Sequence, residues 1–523
     1  MKANYFNMTP SIRRRQTRVD MSHTVRTSLR PGYICPVEIR ECLPGDVWDD
    51  RSYTMTRLTS SFIRPIYDDI YLDIYNFFVP LRLCFKDIAG VFNVQSDNYS
   101  IGTESLLRFP VTDTVTNSVK ESIADYLGVY ARYGWDEGDD QNQIAAGYSV
   151  LPFRANALVW NNWFRNEQVD QPVNVYDGSF NTNERFNALP WGPTNYTGMP
   201  PKANRYKDIF SSSVLRPQRG DPVGVPLEGI KFVFGPAESS TSVELNDMDF
   251  TLTVPSYMGT STDEFQFYDG TASIPWEDFR IAQALQRYAE RSNIYGARYR
   301  EYIYSAYGVS IPESEVQIPE FLSSSHTRLN VQQVASTAES DAYPVGQVAG
   351  MSQTLSSKDA HFKKSINEHG YIITYAIIRY KHTYSQGIQK LWRRLDRADF
   401  YDPTFAHLGY QPIYEYQVYA PISGSLDEDN QTVLGYNEAF VEYRVPFNRV
   451  SGEMRPYGSN LGSFYSLADV YSESPTLSDL IKEDGEPFDR VLSIDQQTLS
   501  PFLLDLSFST KVYRAISMYG DPS

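Results

Sequence analysis

One stretch limits the fold more than any other. Residues 66–80, IYDDIYLDIYNFFVP, put Ile66, Ile70, Leu72, Ile74 and Phe78 on one side of an extended chain. Tyr67, Tyr71, Tyr75, Phe77 and Val79 fall on the other. Alternation with both sides apolar predicts a strand covered by a layer above and a layer below. Pro80 closes it, because proline cannot donate to a ladder. Two more long strands are expected in GYIITYAIIRYKHTYSQG (370–387) and SPFLLDLSFSTKVYRAIS (500–517). Strands this far apart, with helical and loop segments between them, predict an antiparallel sandwich bearing insertions rather than repeated βαβ units. The length of 523 residues fits either about three domains or one large β domain with long insertions.

The stretches between the strands differ in kind. Residues 1–30 read as a polar, flexible, basic arm, and Pro31 and Gly32 mark the turn into ordered structure. Residues 118–134 suggest a helix with Ile123, Tyr126, Leu127 and Tyr130 on one face. In LPFRANALVWNNWFRNEQ (151–168), Phe153, Ala157, Trp160 and Phe164 recur at helical spacing, and Trp163 widens that face. These aromatics can serve the subunit core or an interface between subunits, and the core is the preferred reading. Residues 169–229 read as ordered loop, and 230–273 as a small β insertion. A helix then starts at Pro275, with Phe279, Ala282, Leu285 and Ala289 expected inward, and a second follows over 297–308.

Charge is unevenly placed. Lys2, Arg13, Arg14, Arg15, Arg18, Arg26 and Arg30 stand against Asp20 alone, a net +6 on a chain of net −17. A basic arm on an acidic body predicts contact with a polyanion, and arginine grips phosphate bidentately. The three cysteines, Cys35, Cys42 and Cys84, show no CxxC spacing and form no even set, so buried thiols in a reducing compartment are expected. No secretory leader and no apolar run long enough to span a bilayer is recognisable, so no membrane insertion is expected.

Chemistry is sparse. The sequence has no HExxH, GxxxxGK[ST] or GxSxG motif. Six histidines are scattered; His361 and His369 are eight apart, a poor zinc signature, and no metal or cofactor is expected. Carboxylates at Asp68, Asp69 and Asp73, or at Asp427, Glu428 and Asp429, could pair as in a glycosidase, but among 64 acidic residues close pairs arise by chance. An enzyme is therefore not expected. Tyrosine and phenylalanine number 39 and 28, more than a single core needs, and aromatics are favoured in interface cores.

The ordered set of segments resembles a known family. PGYICPVEIRECLPGDVW (31–48) followed by IYLDIYNFFVPLRL (70–83), then LPFRANALVWNNWFRNEQ, LRPQRGDPVGVPL (215–227), FRIAQALQRYAER with GARYREYIYSAYGV (279–309), EYRVPFNRVSGEMR (442–455) and VYRAISMYGDP (512–522) are similar to the major capsid proteins of the Microviridae, of the gokushovirus type. The resemblance implies a mainly β, eight-stranded antiparallel viral jelly roll spanning 31–523, with long loop and helical insertions. It implies a protein that self-assembles into a T=1 icosahedral shell enclosing single-stranded DNA, in the virion after assembly in the bacterial cytoplasm. The implied partners are copies of itself, the packaged DNA, a small basic DNA-binding protein, an internal scaffolding protein and a DNA pilot protein. It also implies that 230–273 forms a threefold protrusion that could meet a host receptor, and that the arm lies near the genome. A carbohydrate-binding or carbohydrate-cleaving β-sandwich is the alternative from the residues alone.

Overall fold

The computed structural model describes residues 16–59, 62–64, 66–92, 110–111, 116–117, 120–129, 143–144, 147–178, 189–221, 231–234, 241–244, 276–329, 334–335, 348–350, 353–355, 360–405, 409–420, 432–458, 460–493 and 500–516. Two compact units are defined: residues 1–215 with 309–523, and residues 216–308.

The larger unit is a sandwich. Its first sheet contains β1 (in two segments, Thr17–Asp20 and His23–Leu29), β3 (Val47–Leu58), β6 (in two segments, Gln353–Leu355 and Phe362–Ser365) and β8 (Phe502–Arg514), in the order β1–β8–β3–β6. Its second sheet contains β2 (Cys35–Cys42), β4 (Ile70–Pro80), β5 (Glu320–Leu329) and β7 (Gly370–Tyr380), in the order β5–β4–β7–β2. Every pairing is antiparallel. Eight strand positions wound this way into two sheets define the viral jelly roll. The last strand lies between the first and third: β8 pairs with β3 from Phe502↔Leu58 to Tyr513↔Val47 and with β1 from Phe502↔Leu29 to Thr17↔Arg514.

The strand at 70–80 is buried on both sides, as its composition requires. Ile70, Leu72 and Ile74, with Ala376, Ile378 and Tyr380 of β7, meet Leu29, Leu58, Leu504, Leu506 and Phe508 of the opposite sheet. Phe77 and Val79, with Ile373, Tyr375 and Ile377, turn outward under a helical cover. That cover is the aromatic stretch of the sequence. Leu151–Val159 form α1, with Pro152 in its first turn, and the chain continues as one wider π-helical turn over Trp160–Phe164.

Three expectations change. The arm does not stay free up to residue 30, because Thr17–Leu29 is the first sandwich strand. Its alternation puts Val19, Val25 and Leu29 inward and leaves Arg18 and Arg26 exposed, so the arginines that suggested a solvated tail occupy one face of a half-buried strand. Of the helix expected over 118–134, the described part is one turn, Ile123–Tyr126, whose Ser122 cap accepts from the Asp125 amide; residues 130–134 lie outside the described residues. In the smaller unit, α2 (Trp276–Tyr295) and α3 (Tyr299–Tyr307) form as expected, but Phe279 and Leu285 are exposed rather than inward. Gly296 joins the two helices at φ +99°, and a Cβ there would lie 2.0 Å from the Glu301 carboxylate, so the turn requires glycine. Within 230–273, Lys231–Phe234 pairs with Thr241–Glu244; the rest of that span lies outside the described residues.

Candidate assembly and nucleic-acid surfaces

The basic residues divide into two groups. Lys2, Arg13, Arg14 and Arg15 lie outside the described residues. Arg18, Arg26 and Arg30 belong to the sandwich. Arg26 Nε lies 3.2 Å from Asp505 Oδ2 on the neighbouring strand, and Arg30 Nε lies 2.7 Å from Glu121 Oε2. The Arg30 pair is half-buried and structural, whereas Arg18 and Arg26 face solvent.

The aromatics of 153–164 pack inside the subunit. Phe153 and Trp160 are buried. Trp163 and Phe164, half-buried, close over Phe77 with ring centroids 5.4 and 5.6 Å away, and Phe164 reaches Tyr375 at 5.2 Å. Trp163 Nε1 donates to the Pro319 carbonyl at 2.9 Å, and the Tyr375 hydroxyl donates to Asn156 Oδ1 at 2.9 Å. Such edge-on aromatic packing adds to area burial and fixes the cover on the sheet.

Each described group weighed for chemistry is engaged in structure. Asp73 is buried and receives the Tyr206 hydroxyl at 2.7 Å, Arg379 Nε at 3.0 Å and His326 Nδ1 at 2.5 Å. Asp68 receives the Leu467 amide at 2.5 Å and the Ser466 hydroxyl at 3.2 Å. His361 faces Asp49 at 3.0 Å and His369 stacks on Phe92 at 4.3 Å, so the two do not share a ligand. Residues 427–429 lie outside the described residues. Cys35, Cys42 and Cys84 are free and buried, and burial pushes each thiol up to about 12.

A buried charge cluster missed from sequence ties the long loop after β7 to the sandwich. Arg205 Nη1 donates to Asp469 Oδ2 at 2.7 Å, and His382 lies 2.9 Å from both oxygens of Asp469 and 3.3 Å from Glu483 Oε1. Tyr380 and Tyr471 donate hydroxyls to Asp469 at 3.3 and 3.1 Å. Burial alone would push the His382 imidazole down, but the carboxylates of Asp469 and Glu483 outweigh it and raise the pKa to about 9. A raised folded-state value means the stabilisation is complete below the unfolded pKa of about 6.5 and is lost as pH rises through about 9. The urea midpoint of the unassembled chain is therefore expected to fall between pH 6 and pH 9.5, by an amount worth roughly 3 kcal/mol. In His382→Gln that slope should flatten; identical pH profiles for parent and variant would remove the role given to this histidine.

Large apolar side chains remain outside the core. On α2, Phe279, Ile281, Leu285, Tyr288 and Ile294 are exposed. The segment 390–405 exposes Leu391, Phe400 and Tyr401, with Trp392 and Leu395 each 73% accessible. Solvated monomers rarely present apolar side chains this densely, and such patches mark contacts with other molecules. A jelly roll whose described carboxylate pairs and histidines are engaged in structural contacts, in a chain with large exposed apolar side chains on helix and loop, fits the building block of a protein shell.

Comparison with known proteins agrees. The chain matches the family described as capsid protein (F protein) over residues 7–523 and belongs to that family. Similar proteins include capsid protein VP1 of Spiroplasma virus 4, 28% identical over 547 residues and covering 97% of this chain and 95% of that protein. Capsid protein VP1 of Chlamydia phage 1 is 27% identical over 597 residues, covering 99% and 97%. Capsid protein VP1 of Bdellovibrio phage phiMH2K is 26% identical over 549 residues, covering 99% and 97%. The protein is a major capsid protein, a structural component of the virion and not an enzyme, and its copies assemble into a capsid. The carbohydrate-active alternative is set aside.

Proposed function

We propose that the chain builds a small T=1 icosahedral shell around a single-stranded DNA genome and that its N-terminal basic residues face that genome. The observation that carries this reading is the charge split: net +6 in the first thirty residues of a chain of net −17. An acidic lining would repel packaged DNA, whereas each phosphate neutralised by Lys or Arg releases counterions and favours binding. Lys2, Arg13, Arg14, Arg15 and Arg18 are the strongest candidates, because Arg26 and Arg30 already have acidic partners. Many modest, symmetric contacts between copies become stable together once the shell closes. The same reading gives the shell a small basic DNA-binding protein, an internal scaffolding protein and a DNA pilot protein as partners. It places assembly in the bacterial cytoplasm and gives residues 230–273 to a protrusion toward a host receptor.

Changing Arg13, Arg14, Arg15 and Arg18 to alanine is expected to lower the DNA content of purified particles more than it lowers the folding stability of the subunit. The ratio of absorbance at 260 and 280 nm in gradient-purified particles reads the first quantity. Equal DNA content in variant and parent particles would contradict a genome-facing role for these residues.

A further inference from the structure

The two sheets of the roll differ on their outer sides. The second is covered by α1 and its flanking loops, and β4 and β7 are buried apart from the half-buried Tyr75, Tyr371 and Arg379. In the first, burial alternates along β3 and β8, and the outward positions stay open. Those outward positions carry a distinct chemistry. Arg18 and Arg26 come from β1, Arg51 and Arg57 from β3, Lys363 from β6 and Lys511 from β8, and all six are exposed. The acids among them are Asp20, Asp49 and Asp505. A net positive face on a chain of net −17 is a local reversal of sign.

The register lays these groups out as a grid. Lys511 sits between Asp20 and Asp49, and Asp49 lies opposite Lys363. Ser507 sits between Thr24 and Tyr53, Leu503 between Ser28 and Arg57, and Ser509 lies opposite Arg51. Asp505 is engaged by Arg26 at 3.2 Å. Among the described residues, no carboxylate lies within 4 Å of Arg51, Arg57, Lys363 or Lys511; Asp20 and Asp49 offset part of the charge of Arg51, Lys363 and Lys511, and six cations against three acids leave the face net positive. Tyr53 and Tyr513 stand on the same face, 39% and 42% exposed. Strand β8, of 13 residues, makes the face about 40 Å long, and four strand positions make it about 14 Å wide.

We propose that the outer face of the first sheet is a binding surface for single-stranded DNA, with Arg51, Arg57, Lys363 and Lys511 on phosphates and Tyr53 and Tyr513 stacking on bases. This rests on the DNA-packaging reading above and adds the surface that meets the strand. Charge complementarity selects a polyanion, and exposed aromatics beside cations suit unpaired bases better than a duplex, whose bases are stacked away. Contacts to phosphates and base faces read no base edges, so binding has little sequence preference.

The test uses the full chain and a mixed-sequence single-stranded oligonucleotide, with affinity measured against salt. In the variant carrying Arg51→Gln, Arg57→Gln, Lys363→Gln and Lys511→Gln, the slope of log affinity against log salt should fall by about 0.7 per lost phosphate contact, and affinity by about tenfold or more, as the loss of several phosphate contacts requires. Tyr53→Ala with Tyr513→Ala should weaken binding about thirtyfold or more with the slope unchanged, as expected of two lost stacking contacts. Particles of normal size with reduced DNA content should form from the quadruple variant; if it forms none, the binding curve of the unassembled chain decides. A parent that binds DNA, alongside a quadruple variant with the same slope and affinity, overturns the face while leaving the packaging reading intact. A parent that binds no DNA at all defeats the packaging reading and the face with it. Competition by polyglutamate as effective as by DNA would assign the face to an acidic protein segment and overturn the proposal.

Discussion

Asp50→Ala is expected to destabilise the subunit by about 3–5 kcal/mol, among the largest effects of any single substitution in this chain. Asp50 of β3 and Arg40 of β2 belong to opposite sheets and meet inside the sandwich through two parallel bonds of 2.8 and 3.0 Å. Thr510 of β8 donates its hydroxyl to Asp50 and accepts from Arg40 at 3.3 Å. The guanidinium also lies over the rings of Phe508 and Trp48, 4.6 and 5.4 Å from their centroids. Removing the carboxylate leaves a buried cation without its directly paired carboxylate, and that penalty exceeds the worth of the pair itself. The double change Arg40→Met with Asp50→Leu should recover most of the loss, because no charge then stays buried. Urea unfolding of the unassembled chain reads both values; a loss under about 1 kcal/mol for Asp50→Ala would mean that water reaches the pair.

The second large effect concerns assembly. Trp392→Ser with Leu395→Ser should leave the subunit folded, with an unfolding midpoint within about 0.5 kcal/mol of the parent's, since both side chains are 73% accessible. Particle yield should fall at least tenfold, because interface energy concentrates in a few buried aromatic anchors and each loss is repeated at every symmetry-related contact. Sucrose-gradient sedimentation of soluble protein measures the yield. Unchanged yield would show that this loop stays exposed in the shell.

Much of the architecture was legible in the sequence, and the reasons are particular. The strand at 70–80 and the one at 370–380 announced themselves because both of their faces are apolar, which only a central strand with cover on each side tolerates. The helix over 151–164 was readable from the spacing of Phe153, Ala157, Trp160 and Phe164; its last turn opens to a π-helix, which spacing alone does not reveal. The first strand was hidden because Arg18 and Arg26 dominate its composition, although Val19, Met21, His23, Val25 and Leu29 alternate with them. That alternation was the signal. On α2, periodicity predicts an apolar side but not what it packs against, and Phe279 and Leu285 stand exposed on it. The buried ion pairs could not be read at all. Arg205 and Asp469 are 264 positions apart, and only the winding of the roll brings them within 2.7 Å. The outward face of the first sheet was invisible for the same reason, since Arg51, Lys363 and Lys511 come from three distant strands.

This chain does its work through contacts with copies of itself. Cryo-electron microscopy of the protein expressed with its viral partners tests that most directly. Closed icosahedral particles built from sixty copies are expected, the number a T=1 shell requires by closed point-group symmetry. Soluble protein that stays monomeric at every concentration and ionic strength tried, with no particle in the presence of those partners, would contradict it.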